Sequence, residues 1–176
     1  MNATANTLEH YLYAKDGNRP DLLRQCFTAD ATLEMRVHTD TISFPSQVSG
    51  RPGIAATLVR DFGQRYENVY TFYVGAPPQP GVARFDCKWL VGMSVKETGE
   101  LRLGFGEYQW RFSLESGLAE HLKITIDDMQ VFAPDTLEPV MDWLQSLTYP
   151  WCLPEHVLTG IPPISYANSI ADYFAQ

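Results

Sequence analysis

The chain has 176 residues, 45% of them hydrophobic and 12% aromatic, which is enough for one domain with a sizeable core and too apolar for general disorder. Its formal net charge of −8 argues against binding to a nucleic-acid backbone or an anionic membrane surface. Three widely spaced cysteines, Cys26, Cys87 and Cys152, form neither a disulfide framework nor a zinc motif, and His10, His38, His121 and His156 lack metal-ligand spacing. The polar start, Met1 to Glu9, does not read as a signal peptide, and no apolar run is long enough for a bilayer. The expectation is a cytoplasmic protein with no cofactor, no metal, no nucleic-acid partner and no membrane partner.

Leu8, Tyr11 and Leu12 recur at helical spacing and predict a first helix over residues 3 to 15, broken by Asp16-Gly17-Asn18. Pro20 is placed to open a second helix with Leu22, Leu23, Cys26 and Phe27 as its apolar stripe. Leu33, Met35 and Val37 alternate with Glu34 and Arg36 as a short strand. Residues 38 to 49 are polar and irregular and read as a loop. Gly50-Arg51-Pro52 opens a third helix carrying Ile54, Leu58 and Phe62. Val69 to Val74 is a strand, and Pro77, Pro78, Pro80 and Gly81 form a linker.

A long hairpin follows, from Val82 to Phe112, turning at Glu97 to Glu100. On its first strand Phe85, Cys87, Trp89, Val91 and Met93 share one face; on its return strand Gly104, Gly106, Tyr108 and Trp110 do. A face that combines small residues with Trp and Tyr points to a concave sheet around a cavity; simple strand curvature is the plainer alternative. Leu118 to Phe132 is the last strand, with Leu122, Ile124 and Ile126 on one side and His121, Lys123, Thr125 and Asp127 on the other. A fourth helix follows Asp135, a candidate cap, with Leu137, Val140, Met141, Leu144 and Leu147 as its stripe. Residues 149 to 163 carry four prolines and predict no regular element, and Tyr166 to Phe174 returns to helical spacing. Helices first and antiparallel strands last make an α+β layout.

Within that layout, Phe27-Thr28-Ala29-Asp30-Ala31-Thr32-Leu33-Glu34, followed by Gly50-Arg51 before a helix, resembles the SnoaL-like branch of the nuclear transport factor two-like (cystatin-like) superfamily. The resemblance covers about residues 5 to 132. It implies a curved antiparallel sheet forming a conical pocket closed by N-terminal helices, and a homodimer through the outer sheet face. It divides the chain into a cone domain, 1–132, and a helical, Pro-rich extension, 133–176, packed on the same domain or on a partner subunit. The superfamily holds isomerases, cyclases, dehydratases, epoxide hydrolases and non-catalytic binders, so fold alone does not choose among them.

Compared with ketosteroid isomerases, Tyr11 matches the tyrosine that donates to the substrate oxyanion, and Tyr108 falls where that family has a protonated aspartate. Met35 stands where that family has its general base, and a thioether is no base at neutral pH. Arg84-Phe85-Asp86 resembles the Arg and Asp pair of limonene epoxide hydrolase, but Ile124 falls where its last-strand aspartate belongs. Arg84 and Asp86 lie opposite the inward face, so a surface ion pair is the better reading. Cys87 and Cys152 read as packed thiols, and His121 as an outward residue.

The expected ligand pocket therefore comprises Tyr11, Met35, Phe62, Cys87, Trp89, Tyr108, Trp110, Leu122 and Ile124, with no assigned catalytic residue. The leading expectation is a protein that binds a small apolar molecule. The alternatives are an isomerase, cyclase or dehydratase using tyrosine donors on a polyketide- or steroid-like substrate, and an association module whose pocket is filled by its own side chains.

Overall fold

The computed structural model describes residues 2–176. Seven strands form one mixed sheet, ordered β2-β1-β6-β5-β4-β3-β7, not closed into a barrel. They are β1 (Phe27–Val37), β2 (Gln47–Ser49), β3 (Tyr66–Val74), β4 (Arg84–Val95), β5 (Leu101–Phe112), β6 (Ala119–Phe132) and β7 (Trp151–Cys152). The expected three-strand meander is β4-β5-β6, and the hairpin pairs Cys87 with Tyr108 and Trp89 with Gly106. The sheet is not wholly antiparallel as expected: β1 runs parallel to β6, and β7 runs parallel to β3.

Helix α1 (Ala3–Asp16) crosses the concave face. Asn2 caps it by accepting from the Ala5 amide at 3.1 Å. The buried Tyr73 hydroxyl, on β3, donates to the Leu8 carbonyl at 2.6 Å and ties helix to sheet. The expected second helix is a 3₁₀ segment, Pro20–Gln25, and the chain is already extended by Phe27, so β1 begins earlier than its alternation showed. The third helix comprises α2 (Arg51–Ala55), a π-helical turn (Ala56–Arg60) and α3 (Asp61–Arg65). Gly50, at φ 86°, occupies the left-handed region at its entry, which explains a glycine there. Residues 38 to 49 are not all loop, because β2 pairs with β1 and supplies a sheet edge.

The sheet buries a hydrophobic cluster on each side. The concave one joins α1 and the third helix to the inward residues of β1 and β3–β6. The convex one joins Phe72, Leu90, Leu103 and Phe105 to the C-terminal extension. That extension contains a 3₁₀ turn (Pro134–Thr136), α4 (Leu137–Ser146), α5 (Pro154–Leu158) and α6 (Ala167–Phe174). Asp135 does not cap α4; it lies within the 3₁₀ turn, and Thr136 precedes the helix without a side-chain cap bond. The Pro-rich stretch holds β7 and α5 after all. Its backbone finds partners on the β3 edge, with the Tyr73 amide donating to Pro150 O at 2.8 Å, and Pro154 opens α5, where a missing amide costs nothing.

The extension is also fastened by polar contacts. Tyr166 donates to Asp128 at 2.8 Å and Tyr173 to Asp127 at 2.6 Å, while the Phe105 ring stacks on Tyr173 at 4.2 Å between centroids. Residues 133–176 therefore cover the convex face of β3, β4 and β5 of their own chain.

Candidate functional site

The concave face ends in a small cavity between α1, the third helix and the sheet. Its walls include Tyr11, Met35, Phe62, Trp89, Tyr108 and Ile124 from the expected set, together with Lys15, Ile42, Phe44, Leu58, Thr71, Val91, Met93, Ile126 and Met129. The alternation of β4, β5 and β6 faces all of the expected strand residues inward. Cys87, Trp110 and Leu122 nevertheless lie outside the cavity wall. Trp110 is packed between Phe27 and Phe112, at 5.9 and 6.0 Å between centroids, and closes the narrow end of the cone. Leu122 is wholly buried in the same cluster, and Cys87 is only partly buried at its margin.

The glycines on β5 do not open the cavity. A Cβ at Gly106 would collide with the Thr125 carbonyl and sit 2.7 Å from the Trp89 ring, so Trp89 and a bulged β6 occupy that space. The free volume enclosed is about 40 Å³, on the scale of one water molecule. Ile42, Phe44 and Phe62 separate it from a shallow outer groove of about 330 Å³. The segment bearing Ile42 and Phe44 is held beside them: Thr41 donates to Met129 O at 2.8 Å, and Arg102 donates to Thr41 O.

Polar groups meet this apolar wall at two places. The Tyr11 hydroxyl is buried with no hydrogen-bond partner among the described residues, and the Trp89 indole NH is likewise unpartnered. Tyr11 and Tyr108 meet edge-to-face at 5.9 Å. Burial pushes both phenols far above the ordinary range; the Tyr108 hydroxyl acts in the opposite direction on Tyr11, though no well-formed hydrogen bond joins them. Both stay protonated, as donors must.

The second polar place is Lys15, which the sequence reading missed. It lies four residues after Tyr11 and seven after Leu8, the spacing that puts all three on one helix face. Its ammonium donates to Thr71 Oγ1 at 2.8 Å, pairs with Asp16 Oδ1 at 3.1 Å and stands 4.6 Å from the centre of the Phe62 ring. Asp16 also accepts from the Thr71 hydroxyl at 2.8 Å, the Thr71 amide at 2.7 Å and the Tyr149 hydroxyl at 2.9 Å. A carboxylate at a helix C-terminus opposes the helix dipole; these four contacts offset that cost. No carboxylate lines the cavity among the described residues.

On the convex face, Arg84 and Asp86 point outward beside Gln109 and Arg111, with no ion pair between them. His121 also faces out, its Nδ1 2.7 Å from Thr32 Oγ1; burial and then Arg111 lower its pKa. The described residues contain no cluster of metal-ligating side chains.

The SnoaL-like domain model matches residues 1–124. The chain belongs to the SnoaL-like family. No curated protein matches it in sequence. Among solved structures, the chain is similar to an NTF2-like protein of unknown function from Exiguobacterium sp. 255-15, at 19% identity and TM-score 0.53, covering 69% of this chain and 98% of that one. An LEH-like epoxide hydrolase of Mycobacterium tuberculosis aligns at 12% identity and TM-score 0.53, covering 71% and 83%. A protein of ketosteroid isomerase-like fold from Catenulispora acidiphila, in complex with trimethylamine, aligns at 16% identity and TM-score 0.53, covering 67% and 82%. At these identities the likeness is one of fold. The family match ends at residue 124, within β6 and before α4 begins.

Proposed function

We propose that this SnoaL-like protein binds a small, largely apolar molecule in the cone, with one acceptor atom of the ligand meeting the buried donors. The observation that carries this reading is the unpartnered Tyr11 hydroxyl in an apolar wall. A buried donor left unpaired costs about 1–3 kcal/mol, which an acceptor from a ligand would recover. The same fold in Catenulispora acidiphila holds a small organic molecule, trimethylamine. Admission requires Phe44 and Ile42 to move outward, joining the cavity to its outer groove. Binding without a general base is the simpler reading, since Met35 and apolar neighbours occupy the wall where a carboxylate would be needed.

A second reading, an association module with a self-filled pocket, is favoured by the free volume of about 40 Å³, well below the few hundred Å³ of ordinary ligand sites. The homodimer implied by the resemblance belongs with either reading. Because the extension covers β3–β5 and touches β6 at Asp127 and Asp128, the pairing surface we infer is the charged outer side of β1 and the earlier part of β6, which carries Glu34, Arg36 and Lys123. Three free cysteines favour a cytoplasmic setting.

Native mass spectrometry of the purified protein, followed by denaturing release, tests these readings together. An apolar adduct supports the binder. An adduct-free protein that also gains none when incubated with apolar compounds supports the self-filled core. The same spectrum reports whether the chain pairs.

A further inference from the structure

At the polar end of the cavity the wall carries a cation, Lys15, and an anion, Asp16, stands behind it. Lys15 and Asp16 have side chains only 8% and 6% exposed and lie 3.1 Å apart, so that end has no net charge. The ammonium has three N–H donors. Asp16 and Thr71 take two, leaving one in the cavity wall beside the Phe62 ring. One helical turn before it stands the Tyr11 hydroxyl, which has no partner. The cavity wall thus holds an unpartnered phenol and an ammonium with a spare N–H, and no surplus charge for an anion. A carboxylate ligand would lose its hydration against Met35, Ile124 and Trp89 and gain a cation already neutralised by Asp16.

We propose that the Lys15–Asp16 pair makes the cavity selective for a neutral carbonyl compound over both its hydrocarbon and its carboxylate analogue, and that Tyr149 of the C-terminal extension is a positioning residue for that pair. This rests on the binding reading above and names its ligand class. Tyr149 acts through Asp16. Its hydroxyl and the Thr71 amide both donate to Oδ2, which leaves Oδ1 turned to Lys15. The extension, which lies beyond the family match, thereby bears on the ligand site from outside the cone.

Acetophenone, ethylbenzene and benzoate, titrated calorimetrically into the full chain, test the proposal. A charge-assisted hydrogen bond predicts acetophenone binding about tenfold or more tighter than ethylbenzene, with benzoate the weakest. In Lys15→Met the preference for acetophenone over ethylbenzene falls about tenfold, the remainder being held by Tyr11, while ethylbenzene binding changes by less than about twofold. Lys15→Met strands the Asp16 carboxylate, so Lys15→Met/Asp16→Asn is made beside it and shows the same loss of preference if the first does not fold. Tyr149→Phe lowers the preference for acetophenone several-fold without weakening ethylbenzene; a purely structural role would weaken both alike. A preference undiminished in both Lys15 variants assigns the acceptor to Tyr11 alone and overturns the proposal, as does benzoate binding tighter than acetophenone. Ethylbenzene and acetophenone binding equally well would overturn it while leaving the pocket in place. Binding of none of the three would remove the pocket reading and this proposal with it.

Discussion

The Tyr149 hydroxyl donates to Asp16 Oδ2 at 2.9 Å, joining the last residue of α1 to an extension 133 positions further along the chain. Around that contact the cone and its addition become one structure. Asp16 serves Lys15, Thr71 and Tyr149 at once, and Tyr149 also packs edge-on against Phe72 at 5.7 Å.

Removing Asp16 should therefore cost far more than a surface acid would. Asp16→Ala leaves a buried ammonium unpaired and should lower stability by about 3–5 kcal/mol, whereas Tyr149→Phe should lose only about 1 kcal/mol. Urea unfolding midpoints check both. Nearly equal, small losses would mean that water reaches Lys15 in the folded chain.

Phe44 is the movable part of the cavity mouth, since it is only partly buried while Thr41 and Arg102 hold the segment behind it. Phe44→Ala should join the cavity to the outer groove and tighten binding of an apolar fluorescent probe by about tenfold, at a stability cost below about 2 kcal/mol. Probe affinity measured on variant and parent decides this.

On the convex face, a Cβ at Gly92 would collide with the buried Leu144 side chain of α4. Gly92→Ala should lower the melting midpoint by an amount equivalent to about 1–3 kcal/mol. Deleting residues 149–176 is the larger version of the same experiment. It uncovers Phe72 and Phe105, against which Tyr149, Tyr166, Tyr173 and Phe174 pack, so light scattering should show aggregation or new self-association; an equally soluble and stable truncation would mean that residues 149–176 contribute little.

Burial raises the pKa of Tyr11, Tyr73 and Tyr108 above the free value of 10.0, and that of Cys26 and Cys87 above 9.0. The native state holds these protons where the unfolded chain releases them. Stability is thus fully present below about pH 9 and falls as pH rises beyond it. In an alkaline titration, phenolate absorbance from the buried tyrosines should appear together with loss of helical signal. The thiols of Cys26 and Cys87 should be inert to thiol reagents near neutral pH.

Much of this was legible because strand period and burial agree. Trp89, Tyr108 and Ile124 face inward as their alternation predicts, and Arg84, Asp86 and His121 face outward. The omissions have a common cause in non-local partners. Lys15 leaves no mark in the sequence pattern because a lysine near a helix end ordinarily seeks solvent; only Asp16, Thr71 and Phe62, brought together by the fold, make its burial tolerable. β7 has no local signature because its backbone is satisfied by the β3 edge, which no local pattern encodes. Glycine spacing on β5 shows where space exists beside a strand, not that Trp89 fills it.

The most direct test of the account is a methyl NMR titration of the full chain with acetophenone. Binding in the cone should shift the methyl signals of Met35, Ile124, Ile126 and Met129, which lie on the paired strands β1 and β6 and line the cavity wall. Unmoved signals at all four, with shifts confined to exposed methyls such as Leu114, would contradict it and leave a core filled by its own side chains.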